Sequence, residues 1–513
     1  MRPQGLFTFI VLAGLVATDC LVGQVTCPPP SQPAPTVPQF RDELPGQSIW
    51  PLDALGQVIF QPASPIDEDR NSTTYNTFCI PGAIYGLELF QDVAAVEGEP
   101  DWLFVAYNAG IQVWDLSQTP DDPRRDHLRD GWQGHFQIFP NWGEGDTYIE
   151  AIDAVKSPVG DVIYIAAAGP IGHGLSTWRF DPNDGSLIQT FQDAGRGFRD
   201  VELVAQNGRV YALAADPSDS LGGVVAFDVT AADTSPCFDD TWPTICPMLL
   251  GHFGTMTDAA YVDTLERGGE LFVVASDGSP SGNDPLGVEI WRANDLDFPS
   301  GPPAGDSQLL FSGLESNHRG VQLFEVDGRP LLATIHVDAV PAPNLATLRL
   351  YDVTSCLVGT GCTEPDDLLW SLPLPRVDGN YQYLDASKSG SRTFLYYGLE
   401  TTPIGGTRVE QLLDVTGLGP SGNGQVFELT DTGADYTDPT TSAQVDYWGD
   451  YYGNNTYGLD NLLPRHGIFV GEYFYRVAVG VFDVHRYQPP ADLLIDGFES
   501  GDCSAWSGGT PCS

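Results

Sequence analysis

The chain is a succession of short apolar runs separated by Gly, Pro, Asn and Asp. Leu103–Tyr107, Val162–Ile165, Val210–Leu213 and Leu271–Val274 are rich in β-branched and aromatic residues, as are Leu331–Thr334, Phe394–Tyr397 and Ile468–Val470. Their length and content predict strands rather than helix turns. After each run comes a recurring phrase. Ile111-Gln-Val-Trp-Asp-Leu116 returns as Ser176-Thr-Trp-Arg-Phe-Asp181, Val224-Val-Ala-Phe-Asp-Val229 and Val288-Glu-Ile-Trp-Arg-Ala293. It returns again as Leu348-Arg-Leu-Tyr-Asp-Val353, Glu410-Gln-Leu-Leu-Asp-Val415 and Val479-Gly-Val-Phe-Asp-Val484. From Asp115 to Asp483 the repeat averages about 61 residues.

A further short strand precedes each pair, often opening on an acid, as at Asp92-Val93, Asp200-Val201 and Asp258-Ala259. A fourth follows most copies: Phe136–Phe139, Leu187–Phe191, Met248–Leu250, Gln308–Phe311, Leu368–Trp370 and Gln425–Phe427. Four strands per unit, in seven units, predict an all-β fold: a seven-bladed β-propeller of four-stranded antiparallel blades. The last unit lacks a fourth strand, and Gln57-Val-Ile-Phe60 lies unused ahead of the first. The expectation is that this N-terminal strand closes the last blade and removes an exposed edge.

The phrase Asp-Val-Thr, at Asp228–Thr230, Asp352–Thr354 and Asp414–Thr416, resembles the LVIVD-type repeats of bacterial secreted propellers. The likeness spans about residues 55–487 and is degenerate: the fourth unit has Trp291-Arg-Ala293 instead. It implies a propeller and an extracytoplasmic location, with no chemistry attached. The C-terminal Asp496-Gly-Phe-Glu-Ser-Gly-Asp502 is similar to short tails of bacterial exported proteins, which implies sorting or surface retention. Here the tail also carries Cys503 and Cys512.

The ends complete the organisation. Arg2, the apolar stretch Leu6–Ala17 and Leu21-Val22-Gly23 read as a signal peptide over residues 1–23. Residues 24–54 form a Pro-rich segment, 55–487 the propeller, and 488–513 a linker and short tail. No apolar stretch is long enough for a transmembrane helix. Eight of the nine cysteines lie beyond Gly23, and locality in an oxidising compartment favours pairing Cys27–Cys79, Cys237–Cys246, Cys356–Cys362 and Cys503–Cys512.

Charge narrows the partners. A net charge of −46, from 69 acidic and 23 basic residues, excludes nucleic acid and anionic membrane, because no basic stripe exists to neutralise phosphates. Cations and cationic surfaces are attracted instead.

Binding chemistry is expected on the face formed by the longer loops. Its candidate ligand-binding residues are Trp142, Glu144, Asp146, His318, Tyr447, Trp448, Tyr451 and Tyr452. Exposed rings suit sugar faces or peptide side chains, so the expected partner is an extracellular protein or glycan. Asp277, Asp284 and Asp338 are candidate metal ligands, with calcium as the one cofactor this oxygen chemistry suggests. Turn formation accounts for many of the same Asp residues. His173 and His336 join His318 as candidate bases or ligands. Asp92, Glu150, Asp200 and Asp258 recur at comparable places and read as channel-lining strand starts.

No nucleophile elbow, H-E-x-x-H or P-loop occurs, so no catalytic residue is assigned. A non-catalytic binding scaffold is the leading reading. The alternatives are a metal-dependent hydrolase or lyase acting on an extracellular polymer, and a structural surface component.

Overall fold

The computed structural model describes residues 60–62 and most of 90–487; the longest stretches outside it within that span are 119–131, 138–148, 297–306, 400–409 and 447–463. The chain folds as an all-β propeller of antiparallel blades. Sheet one contains Phe90–Val96, Trp102–Tyr107, Gly110–Asp115 and Trp132–Gln137. Sheet two contains Ala151–Lys156, Ile163–Ala168, Leu175–Asp181 and Ser186–Asp193; sheet three contains Asp200–Gln206, Arg209–Ala215, Val224–Asp228 and Leu249–Phe253. Sheet four is built from Ala259–Arg267, Glu270–Asp277, Val288–Ala293 and Ser307–Gly313. Sheet five is built from His318–Val326, Arg329–Val337, Ala346–Asp352 and Asp367–Leu374. Sheet six is built from Gln382–Ser389, Arg392–Leu399, Glu410–Asp414 and Phe427–Glu428.

Sheet seven takes Pro464–Val470, Tyr473–Ala478 and Val481–Tyr487 from the end of the repeat region and Phe60–Pro62 from its beginning. The N-terminal strand pairs antiparallel with the last one, Phe60 opposite Tyr487 and Pro62 opposite His485. Closure by an N-terminal strand therefore occurs, through Phe60–Pro62; residues 57–59 of the expected strand lie outside the described residues.

The blade count is corrected. Six sheets are four-stranded blades, not seven. Sheet two has a fifth strand, Cys237–Asp239, which runs parallel to Ser186–Asp193. The chain leaves the short helix Val229–Thr234 beside sheet two and reaches its outer edge before returning to complete sheet three. Nothing in the repeat period signals this excursion. A separate two-stranded ribbon, Asp435–Thr437 with Gln444–Asp446, sits outside the pattern.

The recurring phrase has a structural cause. Its Asp ends the third strand and turns the chain: Asp228 Oδ1 accepts the Ala231 N–H, Asp352 Oδ1 that of Thr354, and Asp414 Oδ1 that of Thr416, each at 2.9–3.0 Å. The other carboxylate oxygen meets an Arg at the start of the second strand, at 2.7 Å for Arg209–Asp228 and 2.6 Å for Arg392–Asp414. The Thr hydroxyl then accepts a backbone N–H from that same strand, Val210 to Thr230 and Thr393 to Thr416. The motif is a corner brace, built from residues that favour turns.

Second strands are buried on both faces, as in Ile163–Ala168, so they read as unbroken apolar runs. Neighbouring sheets share cores: Phe104 and Val113 with Ile165 and Phe180, and Leu331 and Leu350 with Leu395 and Leu413. Between sheets six and seven, Phe394 stacks on Phe469 at 4.5 Å and Tyr396 packs against Phe474 at 5.5 Å. The first strand of each sheet packs on the first strand of the next, and Pro464–Val470 packs on Phe90–Val96, which makes the ring continuous around an axial cavity.

Of the four expected disulfides, Cys356–Cys362 forms, within the loop after the third strand of sheet five. The other three pairs fall wholly or partly outside the described residues.

Candidate functional site

The first strands carry acids into the ring. Asp92, Glu97, Asp153, Asp200, Glu202, Asp263 and Asp385 line an axial cavity of about 330 Å³, together with Gln322, Tyr261, Tyr383 and His466. Asp92 and Asp263 are each only 5% exposed. Carboxylates that deep need partners, and the backbone of the adjoining sheet supplies them. Asp92 Oδ2 accepts the Ile152 N–H at 2.6 Å, and Asp153 Oδ2 accepts that of Leu203 at 2.6 Å. Asp200 Oδ2 accepts Val262 N–H at 2.9 Å, Asp263 Oδ2 accepts Leu323 N–H at 2.5 Å, and Asp385 Oδ2 accepts Gly467 N–H at 3.0 Å. The second oxygen often takes the N–H of its own next residue, as Asp92 Oδ1 does from Val93 at 2.7 Å. Each of these five aspartates is thus a tie between neighbouring sheets as well as a wall of the cavity.

Burial dominates the electrostatics. Loss of hydration raises Asp92 to a pKa of about 7 and Asp200 to about 6, against lowering by the His466 charge and by backbone hydrogen bonds. Burial also raises Asp153, Glu202 and Asp263, and the nearby Asp200 charge adds to it in all three, while a hydrogen bond with Glu202 holds Asp153 back. His466 is the counter-charge. Its Nδ1 lies 2.8 Å from Asp385 Oδ1 and 3.4 Å from Asp92 Oδ1. Burial opposes its charge, but the attraction of Asp385 and Asp92 outweighs burial and sets its pKa at about 9. The Tyr383 ring packs edge-on against His466 at 4.5 Å, and Arg465 lies over the Tyr383 ring at 5.2 Å while hydrogen-bonding its hydroxyl.

Chemically, the arrangement is a cation-attracting chamber with two phenol rings. Some of its carboxyls change protonation near neutrality.

Sequence reasoning placed Asp92 and Asp200 here. Glu150 precedes its strand and does not line the cavity. Asp153, Glu202, Asp263, Asp385 and His466 were missed. Their signal is a lone acid inside an apolar strand: Ile152-Asp-Ala154, Val201-Glu-Leu203, Val262-Asp-Thr264 and Leu384-Asp-Ala386.

Of the loop candidates, His318 is the first residue of sheet five and fully buried, so it is not an exposed loop side chain. Asp277 ends the second strand of sheet four, also fully buried, and acts electrostatically on Arg319. His336 is buried beside His318, with ring centroids 5.0 Å apart. Trp142, Glu144, Asp146, His173, Asp258, Asp284, Asp338, Tyr447, Trp448, Tyr451 and Tyr452 lie outside the described residues. Among the described residues no set of three His, Cys, Asp or Glu side chains is arranged to hold a metal ion. No described helix is long and apolar enough to cross a membrane.

No protein-family model matches the chain, and no curated protein matches it. Solved structures do. It is similar to Kuenenia stuttgartiensis hydrazine synthase, at 13% identity and a TM-score of 0.45, over 79% of this chain and 99% of that one. It is similar to the Dos1 propeller at 11% identity and a TM-score of 0.40, over 78% of each chain. A catalytically inactive virginiamycin B lyase from Staphylococcus aureus, solved with quinupristin, matches at 10% identity and a TM-score of 0.39, over 78% of this chain and 98% of that one. Identities of that size carry no activity across to this chain.

Proposed function

We propose that the chain is a secreted bacterial binding scaffold whose partner presents a positive charge to the axial cavity. The observation that carries this reading is the convergence of seven acidic residues and two tyrosines on one cavity of about 330 Å³. That volume suits a side chain or small ligand rather than a polymer. The net charge of −46 adds long-range attraction for a cationic surface. An extracellular protein offering a Lys or Arg side chain matches these features.

In the same reading, the five-stranded sheet two serves as the seventh blade. Residues 1–23 direct export, in keeping with the extracytoplasmic location that the LVIVD-type resemblance implies, and the tail within 488–513 retains the protein at the surface, as its likeness to the tails of bacterial exported proteins implies.

The test is calorimetric titration with a short Arg-bearing peptide and its norleucine counterpart. The Arg peptide should bind more tightly at pH 8 than at pH 5, because binding favours ionised carboxylates. Glu202→Gln removes one ionisable cavity carboxyl while keeping every carboxylate-to-backbone tie between sheets, and should weaken binding at pH 8 by about tenfold. Equal binding of the norleucine peptide would end this reading.

A further inference from the structure

Between sheets four and five, away from the acidic ring, lies a second polar cluster that the binding reading does not use. Ser276, Thr334 and His318 are each 0% exposed, and His336 is 5% exposed. The Ser276 hydroxyl, the Thr334 hydroxyl and both ring nitrogens of His318 have no hydrogen-bond partner among the described residues. Four such atoms in one place are unusual, because buried polar groups are almost always satisfied.

The alternation of the strands puts these groups on facing surfaces. On Glu270–Asp277, Phe272 and Val274 face sheet five, so Ser276 does too. On Arg329–Val337, Leu332 faces sheet four, as Thr334 and His336 then must, while Leu331, Ala333 and Ile335 face sheet six. The heights agree. Asp263, opposite Val274, bonds to Leu323, which stands opposite Leu332; one step further along come Ser276 and Thr334. His318 pairs directly with His336 at the next level.

The sign of the missing occupant follows from the neighbour. Arg349 stands directly across from Thr334 on the third strand, on the same side as Tyr351, and forms no ion pair among the described residues. Its charge reaches His318: burial, then His336, then Arg349 hold that imidazole well below the usual histidine range, so it is neutral. A guanidinium beside two hydroxyls and two imidazoles is a donor-rich set. A divalent cation would face Arg349, while Asp263, the carboxylate one step along this surface, already accepts the Leu323 N–H.

We infer that Ser276, Thr334, His318 and Arg349 form an anion site between sheets four and five, with a halide ion as its occupant. The hydroxyls and one imidazole N–H donate to the ion, and Arg349 supplies the balancing charge. Such an ion would bind the folded chain alone and lock two adjacent sheets together.

The test uses the full chain at fixed ionic strength, with chloride or bromide exchanged for gluconate. Halide should raise Tm by a few degrees, and the bulkier sulfate should not replace it. The near-isosteric Thr334→Val and the charge-removing Arg349→Met should each abolish the halide increment. Crystals soaked in bromide should show an anomalous peak between Ser276 and Thr334. An ordered water there without bromide, an equal effect from sulfate, or an undiminished increment in Thr334→Val with a native-like melt would overturn the assignment.

Discussion

Asp92 and Ile152 lie 60 residues apart in the sequence and 2.6 Å apart in space, where the carboxylate of one sheet accepts the backbone N–H of the next. The same bond recurs from Asp153 to Leu203, from Asp200 to Val262 and from Asp263 to Leu323. Backbone N–H groups facing the axis would otherwise be unpaired. The acids that make the cavity negative are therefore the ones that hold its walls together, and they couple stability to pH.

Acidification should stabilise the fold. A carboxyl whose folded pKa is raised binds more protons folded than unfolded, so its contribution declines as pH rises. For Asp92 the decline runs from its ordinary 3.8 to about 7, and for Asp200 from 3.8 to about 6. His466, raised to about 9, works in the same direction, since its stabilisation is complete below 6.5 and is lost as pH passes 9. Melts from pH 5 to pH 9 should show Tm falling steadily, with a shallower slope in Asp92→Asn. A Tm that rises over that range would contradict the burial of these carboxyls.

Breaking the corner brace should cost more than its surface position suggests. Asp414 is 2% exposed and holds both Arg392 and the Thr416 N–H. Asp414→Ala leaves these without their acceptor and should lower stability by about 1–3 kcal/mol in urea unfolding. Arg392→Ala, with a third of its side chain exposed, should cost less. Equal losses would shift the weight from the turn to the ion pair.

Reduction of Cys356–Cys362 should be felt locally. The bridge closes a loop of sequence separation 6, for which chain entropy suggests about 2 kcal/mol. Cys362 N–H also bonds to Leu310 O at 2.9 Å, so the loop leans on sheet four. Cys356→Ala/Cys362→Ala should lower Tm modestly and increase hydrogen exchange in 353–366 before elsewhere. Peptide mapping without reductant should recover the linked pair.

Removing Phe60–Pro62 should destabilise sheet seven and expose the edge of Val481–Tyr487. Size-exclusion chromatography of a chain lacking residues 55–62 should show self-association that the full chain does not. A monomer with unchanged Tm would mean that closure contributes little.

Much of the fold was legible because its signals are local. The Asp-Val-Thr corner and the doubly buried second strands repeat with the chain, and each copy announces itself. The fifth strand of sheet two was not legible: Cys237–Asp239 pairs with Ser186–Asp193, and three residues leave no period to detect. The cavity was half legible. Asp92 and Asp200 open or nearly open their strands and invite notice, whereas Asp153, Glu202 and Asp263 sit amid apolar neighbours and matter only once the ring brings them together. His318 read as a loop residue because its neighbours are polar; its burial comes from the facing sheet, which no local pattern encodes.

The pairing of Phe60–Pro62 with Val481–Tyr487 also fixes an order of events. A polypeptide made from its N-terminus releases one partner of that pair near the start of synthesis and the other near the end. Until the final repeat emerges, the early strand waits, and every intermediate is an arc with two raw ends. Assembly therefore concludes in a single late clasp, and a chain cut short anywhere in its last repeat forfeits the ring, however well its earlier repeats have formed.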